Sequence, residues 1–177
     1  MMKLLVPERI ETERLVLRHY THDDMDALAG MLADAEVTKY VGGQLTKRID
    51  VWGHIARTLG HWVMRGYGPY AVEEKSSGKL VGRIGLLHPE TWPDIEIAWT
   101  LNKPYWGKGY ATEAALATGR VGFGQLRAKR LISLINPNNA PSIRVAERLG
   151  AAREGLTDFF GPEDKVYVYR HDPARFN

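Results

Sequence analysis

The chain has 0 cysteines among its 177 residues, which excludes a disulfide framework, a thiolate metal cluster and a cysteine nucleophile together. That composition suits a reducing compartment, so a cytoplasmic location is expected, with no metal cofactor. Long apolar runs are lacking as well: nothing approaches the roughly 20 residues that a membrane-spanning helix needs. Met1 to Glu8 carry neither the apolar stretch nor the small-residue cleavage site of a secretory leader, and no membrane association is expected. Charge of one sign is also scarce, because 24 Lys and Arg stand against 21 Asp and Glu for a net +3. The one close basic group is Arg127, Lys129 and Arg130. A domain that binds nucleic acid through phosphate contacts concentrates its cations, so no nucleic-acid partner is expected. There is no internal repeat, low-complexity tract or linker, and with 44% hydrophobic residues one core in a single domain over residues 1–177 is expected.

Glu13 to Tyr20 alternates in polarity, with Leu15 and Leu17 on one face and Arg14, Val16 and Arg18 on the other, as a strand does. Thr21 followed by Asp24 has the form of a capping box, and Met25, Leu28, Met31 and Leu32 mark a helix ending near Ala35. Gly42-Gly43 breaks the chain. Thr46 then caps a second helix whose stripe is Ile49, Trp52, Ile55, Ala56, Leu59, Trp62 and Val63. Tyr70 to Glu74 and Leu80 to Leu87 form a hairpin around Ser76-Ser77-Gly78. Asp94 to Leu101 alternates again, with Ile95, Ile97, Trp99 and Leu101 facing away from Glu96, Ala98 and Thr100. A helix from Thr112 and a strand from Arg130 to Ile135 complete a βαβ unit, whose strands should run parallel. A short helix (Pro141 to Leu149) and two strands, Ala152 to Phe160 and Lys165 to His171, close the chain.

The segment between strand and helix, Pro104-Tyr105-Trp106-Gly107-Lys108-Gly109-Tyr110-Ala111-Thr112, is the most informative. Two glycines and an alanine at alternate positions let the backbone pass close to a ligand and turn N–H groups outward. With the positive end of the following helix, those donors suit a pyrophosphate, although a tight turn without a ligand uses the same residues. Other phosphate motifs fit worse. The string Gly, four residues, Gly-Lys-Ser/Thr is missing, and a dinucleotide fingerprint needs glycine where Thr112 stands.

This segment resembles the acetyl-CoA loop of the GNAT superfamily of N-acetyltransferases, Gln/Arg-x-x-Gly-x-Gly/Ala, which Gly109 and Ala111 match. Trp106 replaces the leading Gln or Arg, and Trp-Gly-x-Gly-Tyr-Ala is usual in the branch of ribosomal-protein N-terminal acetyltransferases of the RimJ/RimL type. Glu11-Thr12-Glu13-Arg14-Leu15-Val16-Leu17-Arg18, Asn139-Ala140-Pro141-Ser142 and Glu147-Arg148-Leu149-Gly150 are similar to that branch too. The resemblance spans about residues 8 to 171 and implies an α/β (α+β) fold. Its central sheet would be mixed and mostly antiparallel, of about seven strands with a splayed parallel pair at the cofactor site, flanked by about four helices.

What the resemblance implies about chemistry is an acetyl transfer from acetyl-CoA to a primary amine, by direct attack in a ternary complex. The acceptor would be a protein N-terminal α-amine or a small molecule, and the chain a monomer or homodimer. Trp106, Gly107, Lys108, Gly109, Tyr110, Ala111 and Thr112 would hold the pyrophosphate. The backbone of Trp99, Thr100 and Leu101 would pair with the pantetheine arm, with Asn139 and, more weakly, Asn136 beside it. Glu96 matches the strand carboxylate that takes the amine's proton, ahead of His88 and His54, though an exposed strand glutamate is the plain alternative. The tyrosine that many members use as general acid is replaced by Ala146, and Ser142 is its substitute, although a hydroxyl there also suits a helix cap. A non-catalytic acyl-CoA-binding module is the alternative that Ala146 suggests. Trp52, Trp62, Tyr70, Trp92 and Trp99 either wall the acceptor pocket or fill the core, and specificity would lie in residues 37–66 and the turn at Pro162.

Overall fold

Alternating polarity builds the sheet and helical spacing covers it, in a computed structural model that describes residues 3–177. Met1 and Met2, part of the segment read for a leader, lie outside the described residues. In chain order the elements are β1 (Ile10–Glu11), β2 (Leu15–Arg18), α1 (Met25–Ala33), α2 (Ala35–Thr38), α3 (Arg48–Arg65), β3 (Pro69–Glu74), β4 (Lys79–Leu87), β5 (Ile95–Leu101), α4 (Tyr110–Gly124), β6 (Leu131–Ile135), α5 (Ala140–Arg148), β7 (Ala152–Thr157) and β8 (Val166–Arg170). The eight strands form one sheet in the order β1-β2-β3-β4-β5-β6-β8-β7. All neighbours are antiparallel except β5 and β6. This is the expected mixed α/β arrangement, extended by the two-residue β1 and the single-turn α2.

The parallel pair is short. Only Ile95 with Leu131 and Glu96 with Ile132 are in register, and beyond them the strands part although β5 runs on to Leu101. At that point a side chain takes over from the ladder, because Ser133 Oγ donates to the Ile97 carbonyl at 2.6 Å. The split therefore stands open along the C-terminal part of β5, facing the start of α5 at Asn139 and Ser142.

Both faces of the sheet are covered. Leu15, Leu17, Val72, Ile84, Leu86, Ile97 and Leu131 pack with Ala114, Ala115 and Val121 of α4, while Met25, Leu28, Met31 and Leu32 of α1 pack with Val51 and Ile55 of α3 against Ala71 and Leu80. Val16, expected on the polar face of its strand, is consequently buried. The helix boundaries also differ from the expectations. Asp24 accepts from the Thr21 amide at 2.8 Å, as a capping box requires, but Asp34 starts the further turn α2. Thr46 lies two residues ahead of α3, whose N-cap is Lys47. Within α3 the buried residues are Val51, Ile55, Thr58 and Trp62, and Ile49, Trp52 and Val63 are exposed. Two stripes of equal period run along that helix, and the polar Thr58 belongs to the buried one.

Two histidines make the fold sensitive to acid. His171 is buried with its Nε2 2.9 Å from Ser133 Oγ; burial lowers its pKa to about 4. His54 also falls to about 4, through burial first and then the charges of Arg83 and Arg57. Each histidine is neutral in the folded chain and protonates at about 6.5 when unfolded. The stability this contributes is complete above about 6.5 and is lost as pH falls toward about 4, on the order of 3 kcal/mol for each group. Thermal melts should show a lower Tm at pH 4.5 than at pH 7, and His171→Gln should shrink that difference. No helix among the described residues is long and apolar enough to cross a membrane.

Candidate active site

The loop from Trp106 to Gly109 turns on two left-handed residues, Gly107 at φ 77° and Gly109 at φ 83°. Gly109 is the N-cap of α4, which begins at Tyr110, two residues before the expected start at Thr112. A Cβ on Gly107 meets nothing within 4 Å and one on Gly109 meets only Arg14 Nη2 at 3.4 Å, so conformation, not crowding, calls for glycine here. The first internal bond of α4 is Glu113 N–H to Gly109 O, 3.0 Å. Among the described residues the amides of Gly107, Lys108, Gly109, Tyr110, Ala111 and Thr112 donate to no protein acceptor. Six consecutive free donors at a helix N-terminus form a positive concavity.

Side chains hold this loop from several sides. Trp106 Nε1 donates to the Leu101 carbonyl at 2.8 Å, tying the loop to the end of β5. Arg14 Nη1 donates to Lys108 O at 2.9 Å, while Arg14 Nε and Nη2 reach Glu113 Oε2 at 2.7 and 2.6 Å. Thr12 Oγ1 adds a bond to Glu113 Oε1 at 2.6 Å. Tyr110 Oη donates to Glu74 at 2.5 Å, and Lys108 Nζ lies 4.9 Å from the Tyr105 ring centroid. The pairing of Glu113 with Arg14, and of Glu74 with Lys108 at 3.9 Å, offsets the carboxylates at this helix end.

Glu96 stands in the split between β5 and β6. It is 8% exposed, so the exposed-strand alternative is excluded. Trp92 Nε1 donates to Oε2 at 2.8 Å and the Leu134 amide, freed by the parting of the strands, donates to Oε1 at 3.3 Å. Burial raises the carboxyl's pKa above its ordinary 4.5, and the Trp92 and Leu134 bonds and the Arg83 charge only partly offset this. Of the other candidate bases, His54 Nε2 is engaged by Arg83 at 3.2 Å, and His88 does not line the cavity beside Glu96.

A cavity of about 680 Å³ passes through the split. Residues from both faces of β5 line it, Glu96, Ala98 and Thr100 from one and Ile97 and Trp99 from the other, which only an open strand edge allows. Asn136, Asn139 and Ser142 line its far wall. Asn139 Oδ1 caps α5 by accepting from the Ser142 amide at 3.3 Å, and Asn136 Oδ1 accepts from Asn138 N–H at 2.9 Å. Each carboxamide thus keeps its NH₂ for another acceptor. Ser142 does not cap the helix itself. Its Oγ accepts from Trp99 Nε1 at 3.2 Å, which leaves the hydroxyl proton free to donate. Leu101 does not line the cavity, and its carbonyl is the Trp106 acceptor. Ala146, fully buried, packs in the cluster that Trp99 joins. Trp62 and Tyr70 are core, Trp52 is exposed, and Trp92 and Trp99 wall the cavity.

A family model described as the acetyltransferase (GNAT) domain matches residues 14–152. The chain belongs to the GNAT acetyltransferase family. It is 30% identical over 147 residues to the uncharacterized N-acetyltransferase YnaD of Bacillus subtilis, covering 83% of this chain and 84% of that protein. Its fold matches the crystal structure of an acetyltransferase from Agrobacterium tumefaciens with a TM-score of 0.83, at 31% identity and over 94% of this chain and 95% of that one. Mycobacterium smegmatis RimJ, solved in complex with CoA-disulfide, shares the fold with a TM-score of 0.70 at 20% identity, over 88% and 80% of the two chains.

As a GNAT protein the chain is an acyl-CoA-dependent acetyltransferase. The unpaired amides of Gly107 to Thr112 and the open β5 edge fit the donor's pyrophosphate and its extended arm. Several residues at this site escaped sequence reasoning. Arg14 lay inside the quoted opening motif, but its partner Glu113 is 99 positions away. Ser133, which bridges the split, and Arg83, Lys39 and Tyr40, which line the cavity, carry no local pattern at all.

Proposed function

We propose that this GNAT protein, working as a single domain over residues 1–177, transfers the acetyl group of acetyl-CoA to a primary amine bound beside Glu96. The observation that carries this reading is the buried Glu96 carboxylate in a cavity that follows β5 as far as Trp99 and Thr100, on the strand that runs into the loop of free amides from Gly107 to Thr112. The loop amides bind the pyrophosphate, and the backbone of Trp99 and Thr100 with the NH₂ groups of Asn136 and Asn139 holds the pantetheine arm. Lys108, paired with Glu74 at 3.9 Å, stands beside the loop. Acetyl-CoA supplies an acetyl group activated as a thioester.

The chain's own residues manage the protons. An amine arrives mostly as an ammonium, and Glu96 removes its proton at Oε1 or Oε2 to make it a nucleophile. A carboxyl whose pKa lies above the usual range holds that proton better than an ordinary glutamate. Ser142 Oγ, with Trp99 Nε1 donating to its lone pair, gives its hydroxyl proton to the departing sulfur and recovers one from the nitrogen, which sheds its second proton as the C–S bond breaks and the amide forms. A thiol of pKa about 8.5 needs only modest help, which is compatible with a serine where Ala146 removes the tyrosine. The Trp92, Trp99 and Phe160 side chains give the split an apolar lining.

The test is a panel of N-terminal peptides and small amines mixed with acetyl-CoA, with released thiol measured. Thiol release above the no-amine rate, together with acetylated product by mass spectrometry, is the expected result. No amine-dependent release across the panel contradicts the reading.

A further inference from the structure

The cavity that holds Glu96 also contains a cation that has no ion-pair partner among the described residues. Arg83 sits on β4 directly opposite Thr100 of β5, on the face shared with Ala98 and Glu96, and lines the cavity. Among the described residues no carboxylate lies within ion-pairing distance of Arg83, whereas Arg14, Arg18, Arg130 and Arg170 all have such partners. Its one protein partner is His54, whose Nε2 is 3.2 Å from Nη1. A guanidinium has no lone pair to offer, so His54 Nε2 accepts and the ring brings no negative charge. Lys39 lines the same cavity, also without an acid partner among the described residues, its Nζ 5.2 Å from the Tyr40 ring. Lys39 is exposed, but Arg83 is half-buried, and a half-buried cation left without an anion is costly, a cost that a ligand anion relieves.

The arrangement is bipolar. Glu96 marks one end, and Arg83, four residues along β4 from the Leu87 that pairs with Glu96, marks the other. Leu87, Trp92 and Phe160 supply apolar wall between and around them. Arg83 is close enough for its charge to act on the Glu96 carboxyl. The cavity's second acid, Asp164, lies exposed on the turn before β8, at the rim and away from β4. We infer that the acceptor is an amino acid or a close relative, a small amine that carries a carboxylate, with Arg83 and Lys39 binding the carboxylate while Glu96 receives the amine. This rests on the reading of Glu96 and the split as the acceptor site. It names the acceptor class within it, and places Arg83 as the residue that sets specificity.

The experiment compares kcat/KM of the full chain, with acetyl-CoA, for leucine, phenylalanine and β-alanine against the amide of each, with putrescine as a diamine lacking any carboxylate. Each free acid should exceed its amide on the order of 10-fold to 100-fold, the range of a charge-assisted contact in a partly desolvated site. The amide's lower amine pKa biases the comparison against this outcome. Arg83→Gln should bring the ratio of acid to amide to about 1, while Arg83→Lys, which keeps the charge, should retain part of it. Melting curves and CoA affinity of both variants establish that they are folded. Amides or putrescine used as well as the acids, or a ratio that Arg83→Gln leaves untouched, overturns the inference while acetyl transfer itself stands. If no amine of any class is acetylated, the reading of the acceptor site fails first. Calorimetry of leucine binding to the CoA-loaded chain then decides the carboxylate site separately: binding abolished in Arg83→Gln supports it, and no binding to the unaltered chain overturns it.

Discussion

Glu96→Gln should lower kcat by about 10²-fold to 10⁴-fold, the usual range for a positioned general base, with the affinity for CoA retained. Gln matches Glu in shape and its carbonyl can accept from one of the two donors, Trp92 Nε1 or the Leu134 amide, so melting should change little beside the loss of rate. The pH profile separates a base from a structural carboxylate. Burial places the Glu96 pKa above 4.5, so kcat/KM in the unaltered chain should fall as pH drops through that raised value and the carboxylate protonates. In the glutamine variant this acid limb should vanish, leaving only the limb set by the amine itself. A variant that keeps the full rate, or the same acid limb, removes Glu96 from the chemistry.

Gly109→Val should raise the Kd for CoA on the order of 10-fold to 100-fold. Valine at φ 83° is strained by about 1–3 kcal/mol, and the loop relieves it by turning peptide planes away from their outward orientation. Because a Cβ there approaches only Arg14 Nη2 and the residue is exposed, global stability should drop far less than cofactor affinity. Isothermal titration with CoA and with pantetheine distinguishes the causes. A selective loss for CoA points to the phosphate contacts, and an equal loss for both points to a general distortion of the split.

The features that could be read from sequence are those whose cause is local. Gly107 and Gly109 lie within a few residues of a strand end and a helix start, and the left-handed conformation they adopt is a property of the single residue. The parallel pairing of β5 and β6 follows from one helix between two apolar strands. What escaped was decided at longer range. In α3 the spacing of Ile49, Trp52, Ala56 and Val63 is as helical as that of Val51, Ile55, Thr58 and Trp62, and only packing against α1 and the sheet selects the second face. Alternation placed Glu96 opposite Ile95 and Ile97 but could not tell that Trp92 and the Leu134 amide meet it on that side and that it is buried there. The Arg14 clamp on Lys108 and Glu113 joins residues far apart in the chain, as does the Ser133 bridge to Ile97 and His171. The Trp106 side chain was read as a substitute for a polar loop residue, and its indole fixes the loop by bonding Leu101 O.

The most direct measurement is backbone NMR of the ¹⁵N-labelled chain titrated first with pantetheine and then with CoA. The amide signals of Gly107 through Thr112 should stay in place with pantetheine and move, with added protection from hydrogen exchange, only when the pyrophosphate is present. If those six amides are indifferent to CoA while signals elsewhere shift, the phosphates are held by other groups and the site is not built as described.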